Sequence, residues 1–222
     1  MIPKESFVRR YLDPADRLNE MLFGLIMVLT FSLTAEFTAE DSPAGARELL
    51  IAIIGCNIAW GIIDGVMFMM GSMLERARRA RTLMAVQRAP DEVSGLAVVE
   101  RALEGTLASL MTEEERAGLA RTIYPAARRL QPERTRLLKE DLLGGVASCW
   151  LVVFSTIPAA IPFLFIRQPH VAMRVSNGLL LAMLFLVGYQ WGKHANGNRW
   201  GTGLVFLVAG LALVGIAVAL GG

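Results

Sequence analysis

The stretch that decides the fold is LLIAIIGCNIAWGIIDGVMFMMGSML, residues 49–74, where a single charged side chain, Asp64, stands among apolar and small residues. About 20 such residues cross the roughly 30 Å hydrocarbon layer of a bilayer as a helix, so this run is long enough to span it. Working outward, 142–166, 175–191 and 200–220 repeat the pattern, and 21–35 does so over a shorter length. The short one becomes a full span when Leu18 to Phe37 is counted, with Glu20 and Glu36 at its two boundaries. Asp16 and Glu20, and the lack of a small-residue cleavage pattern, argue against a signal peptide here. Hydrophobic residues make up 54% of the 222 and charged ones 19%, a balance that fits neither a soluble domain nor a disordered chain. The expected fold class is an all-α membrane protein: five transmembrane helices with a cytoplasmic helical insert between the second and third. The expected domains are 1–74, the insert 75–140, and 141–222.

Sidedness follows from the Lys and Arg excess that stays in the cytoplasm. Lys4, Arg9, Arg10 and Arg17 precede the first span; Arg76, Arg78, Arg79 and Arg81 follow the second; Arg134, Arg136 and Lys139 precede the third; Lys193 and Arg199 separate the fourth from the fifth. All fall on one side of a five-span path. The other side receives Glu36, Glu40, Asp41 and Glu48, with Arg167 and Arg174 as the exception. The N-terminus and insert are therefore expected in the cytoplasm and the C-terminus opposite. The net charge of +2 comes from arginines interleaved with acids, which is no nucleic-acid signature. Cys56 and Cys149 both fall within spans, where a free thiol packs as a small apolar group.

The insert has clear helix punctuation. No Gly or Pro interrupts Ser72 to Ala89, so the second span is expected to continue to about Arg88 and stop at Pro90. Asp91 is placed to cap a helix carrying Leu96, Val99, Leu103, Leu107 and Leu110 on one stripe, and Thr112 with Glu115 forms a capping box for the next. Pro125 is expected to kink or end that helix after Tyr124. Pro132 is expected to open a fourth helix running into the third span.

Chemistry concentrates around Asp64. An ionised carboxylate inside a membrane must face the bundle interior, hold a proton or meet a cation. Asn57, seven residues earlier, and Met67, three later, are expected on its face, offering an amide oxygen and a thioether beside the carboxylate. This is either an ion-handling stripe or a set of interhelical hydrogen bonds with methionines filling gaps. Gly61-x-x-x-Gly65 permits close approach to another span or subunit. Glu20 and Glu36 either guard the two ends of a cation path or are solvated helix-end acids. In the insert, Glu100 and Glu104 stand one turn apart and Glu113, Glu114 and Glu115 open the next helix. They either collect a hard or borderline divalent metal or are neutralised by Arg101, Arg116, Arg121 and the helix dipole. His170 and His194 fall in interfacial loops. There is no Ser/His/Asp set, His-Glu-x-x-His or nucleotide-binding loop, so no enzyme and no resident cofactor are expected.

Several stretches resemble a known family. Phe23-Gly24-Leu-Ile-Met-Val-Leu-Thr30-Phe31, the Pro158 and Pro162 pair in 148–164, and Leu184-Phe185-Leu186-Val187-Gly188-Tyr189 followed by Trp200 to Gly210 are similar to spans one, three and the final hairpin of the vacuolar iron transporter family. The resemblance implies a homodimer exporting iron or manganese from the cytoplasm in exchange for protons, the divalent metal ion being substrate and the lipid bilayer its surroundings. The chain departs from that family where an Asp precedes the first-span glycine, here Phe23, and where a Glu follows the second-span glycine, here Ser72. The alternative from residues alone is a non-transporting interaction protein whose basic insert recruits a partner or anionic lipid.

Overall fold

A computed structural model describes residues 6–38, 43–104 and 106–220. Among them the chain forms nine α-helices and no strand: α1 Phe7–Tyr11, α2 Pro14–Thr38, α3 Pro43–Gln87, α4 Glu92–Leu103, α5 Glu113–Arg129, α6 Lys139–Phe154, α7 Ile157–Phe165, α8 Pro169–His194 and α9 Arg199–Ala219. Five stretches are long and apolar enough to cross a membrane: Pro14–Thr34, Leu50–Gln87, Lys139–Phe165, Pro169–His194 and Arg199–Ala219. These are the five segments expected from composition, and they give the chain the build of a multi-pass membrane protein. The short first segment gains its length at the N-terminal side. Asp13 Oδ1 accepts the Ala15 and Asp16 amides at 2.8 and 2.9 Å, and Pro14 opens the helix at the position where its missing N–H costs nothing.

The chain divides into two compact units, Met1–Phe68 with Lys139–Gly222, and Met69–Leu138, with α3 contributing to both. The core of the first joins Leu25, Val28 and Leu29 of α2, Ile53 of α3, Ala159 of α7, Leu180, Leu184 and Val187 of α8, and Val214 of α9. Lipid tails are as apolar as these side chains, so close packing and interhelical hydrogen bonds must hold the helices together. Ser32 of α2 donates to the Asn177 amide oxygen of α8, and Ser176 Oγ donates to the Ala159 carbonyl at 2.9 Å.

The second unit is built on Val86 of α3, Val99 of α4, and Ala120, Tyr124 and Ala127 of α5. Gln87 Nε2 ties α3 to the end of α5 through the Ala127 and Leu130 carbonyls, at 3.3 and 2.7 Å. Asp91 caps α4 by accepting the Ser94 amide, and the Thr112–Glu115 capping box opens α5, both as the sequence indicates.

Four expectations are corrected. The stripe from Leu96 to Leu110 is not one helix: α4 ends at Leu103, Leu107–Leu110 form a 3₁₀ turn, and Leu110 is 84% exposed. The Thr106 hydroxyl donates to the Leu103 carbonyl at 2.7 Å and accepts the Ala108 amide, so a side chain takes over bonds that would have continued the helix. Pro125 does not end α5, which runs on to Arg129. Proline forfeits one backbone bond, and burial of Ala120, Tyr124 and Ala127 on one face offsets that loss. Pro132 opens no helix, because 131–138 are non-helical and α6 begins at Lys139. The Arg136 amide instead bonds two residues back to the Arg134 carbonyl at 2.9 Å. Finally, the third span is two helices rather than one. Pro158 cannot donate to the Phe154 carbonyl, and the Ser155 and Thr156 hydroxyls each turn back on a carbonyl three residues earlier at 2.6 Å. Gly24 of α2 packs against this break so closely that a β-carbon there would collide with the Ser155 hydroxyl.

Candidate functional site

The candidate site forms where α2, α3 and α6 meet. Gly61 and Gly65 of α3 allow the approach: a β-carbon on Gly65 would stand 2.6 Å from the Gly145 carbonyl oxygen, and one on Gly61 3.0 Å from that of Cys149. The glycine pair thus marks contact between two spans of one chain. On the α2 side, Phe23 sets its ring edge-on to Trp60 of α3 with centroids 5.7 Å apart. Phe23 therefore serves here as a packing residue.

This convergence brings two acids from different helices together. Glu20 of α2 lies near enough to Asp64 of α3 for their charges to interact, with the Ser148 hydroxyl of α6 beside it and Cys149 next to Asp64. Ser148 approaches Glu20 without the geometry of a regular hydrogen bond. The charged neighbours acting on Glu20 are Asp64 and Asp16, both acids. Asp64 Oδ2, Ser148 Oγ and Asn57 Oδ1 are buried with no hydrogen-bond partner. An orphaned buried oxygen loses its water without replacement, which disfavours it by about 1–3 kcal/mol each. Three such atoms lie in one bundle, Asp64 Oδ2 on one of the two carboxylates and Ser148 Oγ beside the other, and the charged neighbours of Glu20 supply no positive charge. A proton or a metal cation supplies that charge.

Asn57 is 2% exposed, on the buried side of α3 as expected, but two turns from Asp64, about 10 Å along the axis. It lines the same face without sharing one coordination sphere with Asp64. Met67, on the same helix one turn after Asp64, is 63% exposed. At about 100° per residue, Asn57 falls about 20° to one side of Asp64 and Met67 about 60° to the other, which carries the thioether past the edge of the buried face. Glu36 lies on the last turns of α2, its side chain outside the described residues, as are Glu40 and Asp41.

The insert acids do not assemble. Glu100 is half-buried on α4, whereas Glu104 is the C-cap with extended backbone, so the two do not share a helical face. Glu113 and Glu114 are exposed, and Glu115 is committed to the capping box. The Thr112 amide and hydroxyl at Glu115, and the Ser94 amide at Asp91, hold both carboxyls below their ordinary range. Among the described residues no three His, Cys, Asp or Glu side chains converge closely enough to hold a metal ion. Cys56 and Cys149 are free thiols.

Ser148 is a site residue that an apolar run conceals in the sequence. Asp141, two turns before it on α6, is buried on the same helical face. Compared with known proteins, the chain matches no family model and no curated protein sequence.

Proposed function

We propose that the chain is a membrane transporter that exports a divalent transition metal of the iron or manganese class from the cytoplasm in exchange for protons, as a divergent homodimeric relative of the vacuolar iron transporters. The observation that carries this reading is the meeting of Glu20 and Asp64 on separate spans with buried, unpartnered oxygens around them. Intramembrane acids without a neutralising side chain mark cation and proton paths. The donors are oxygens, which suit iron(II) and manganese(II) better than soft metals. With two carboxylates and a hydroxyl, water completes the sphere, so the ion is held loosely enough to leave. Protons compete for the same carboxylates, which couples metal release to proton uptake. In this reading the N-terminus and the helical insert are cytoplasmic, and a second copy covers part of the exposed apolar face of α3 that includes Ile58, Ile62 and Val66.

The test is flux of iron(II), manganese(II), zinc and calcium into liposomes holding the purified protein, with and without a pH gradient. Asp64→Asn keeps volume and hydrogen-bonding capacity while removing the titratable charge. It is expected to fold and to lose both flux and its pH dependence, and wild-type rate and pH profile in that variant would sink the proposal. A second reading, recruitment of a partner or anionic lipid by the insert, is favoured by one observation: a cavity of about 400 Å³ lined by Arg76, Arg134 and Arg136 with Glu133. Salt-sensitive binding to anionic vesicles, lost in Arg134→Gln/Arg136→Gln and unaccompanied by metal flux in the wild type, would select it.

A further inference from the structure

A cavity of about 570 Å³ at the start of α2 and the end of α8 has a divided lining. One part is basic: Arg9 of α1, Arg17 of α2, and Lys193 and His194 of α8. The other is apolar: Leu18 and Met21 of α2 and Leu151 of α6. Among the described residues no acid lines it, although Asp13 and Asp16 stand near the same start of α2. Two of the basic groups are braced by the backbone. Arg17 Nε donates to the Asp13 carbonyl at 3.2 Å, which leaves the terminal amino groups of the guanidinium for the cavity. His194 Nδ1 lies 2.8 Å from the Gln190 carbonyl, which can only accept, so this nitrogen carries the proton and fixes the ring.

Three permanent positive charges repel a divalent cation, so this cavity is no entrance for the metal. They attract an anion. The volume falls in the range that encloses ligands of roughly 300–1,000 Å³, well beyond a bare phosphate ion. Arg17 stands at the first turn of one candidate span and Lys193 and His194 at the last turn of another, the depth at which lipid headgroups meet span ends. The apolar wall extends from that basic end along the spans.

We propose that this cavity holds an anionic phospholipid: its headgroup phosphate between Arg9, Arg17 and Lys193, and the start of an acyl chain along Leu18, Met21 and Leu151. Arg guanidinium groups bind phosphate oxygens in pairs and Lys adds a point charge. A zwitterionic lipid brings its own cation into the same basic space and is disfavoured.

The test uses the full chain purified in detergent and titrated separately with phosphatidylglycerol, phosphatidylcholine and inorganic phosphate, reading retained adducts by native mass spectrometry and the shift in melting temperature. Phosphatidylglycerol is expected to be retained at one site and to raise the melting temperature. Phosphatidylcholine and millimolar phosphate are expected to do neither. Arg17→Gln with Lys193→Gln is expected to weaken phosphatidylglycerol by about thirtyfold, at about 1 kcal/mol per charge. Should that variant fail to fold, Met21→Trp carries the test, because it fills the apolar part and is expected to displace the lipid with all charges in place. Equal retention of both lipids, wild-type retention in these variants, or stabilisation by phosphate alone would overturn the proposal. None of these readouts involves metal flux, so they stand or fall apart from the transport reading.

Discussion

The capping acids of the second unit and the facing acids Glu20 and Asp64 of the first are held in opposite ways. In Met69–Leu138, Asp91 and Glu115 each accept backbone amides at a helix start, and Glu75 pairs with Arg79 at 3.3 Å in solvent. In the other unit, Glu20 and Asp64 face each other across two helices, and Asp64 Oδ2 and Ser148 Oγ are buried without partners. An acid at a helix N-terminus stabilises the fold by meeting the dipole and the free amides, so it needs no further role. An acid between spans that meets another acid and no cation gains no such stabilisation from its neighbours. The contrast separates structural from functional carboxylates better than counting acids does, since the insert is the more acid-rich stretch.

That contrast can be broken most sharply at the carboxylate pair. Glu20→Gln/Asp64→Asn is expected to abolish metal flux in liposomes while the melting temperature holds or rises, because two half-buried acids that face each other are neutralised; a large fall in melting temperature would make these acids structural. In the other unit, Tyr124→Ala empties a core position, which is expected to cost about 3 kcal/mol, seen as faster hydrogen exchange across α4 and α5. Gly65→Ala pushes a β-carbon toward a backbone oxygen and is expected to destabilise by about 1–3 kcal/mol and to reduce flux by parting α3 from α6. A melting curve unchanged by Gly65→Ala would show that these helices are not closely packed.

Smaller effects sharpen the comparison. Thr112→Ala removes half of the capping box and is expected to cost about 1 kcal/mol, with flux unchanged. Glu115 has a carboxyl held below its ordinary range, so its contribution is complete above that range and is lost as pH falls through the lowered value. Protection of the amides at the start of α5, relative to their intrinsic exchange at each pH, is therefore expected to fall on acidification, and Glu115→Gln to remove that dependence. Least of all, Met67→Leu is expected to leave flux and metal preference unchanged, since the thioether points outward; a changed iron-to-calcium ratio would return it to the ion path.

The spans were legible because lipid imposes one strong requirement, an unbroken apolar run, that composition reports directly. Asp91, Thr112 and Glu115 were legible because caps are local. Where reading went astray, competition between neighbours decided the outcome: Thr106 diverting the backbone after Leu103, core packing carrying α5 through Pro125, Pro158 dividing the third span. Of the candidate site, Asp64 announced itself as a charge in a span, and Asn57 lay on its face. The meeting of Asp64 with Glu20 and Ser148 was not legible. It joins residues far apart in the chain through the close approach of α3 and α6, and nothing in a helical repeat tells which spans will touch.

The break at Ser155 and Thr156 bears on how the protein is made. At 1.5 Å per residue α6 measures about 24 Å and α7 about 13 Å, and neither alone crosses a hydrocarbon layer of roughly 30 Å. They therefore enter the bilayer as one apolar segment. The Ala159 carbonyl meets the Ser176 hydroxyl of α8, a group translated seventeen residues later. The third span therefore reaches its final form only when the fourth has followed it into the membrane, which makes the α7–α8 pair the smallest piece that can mature together.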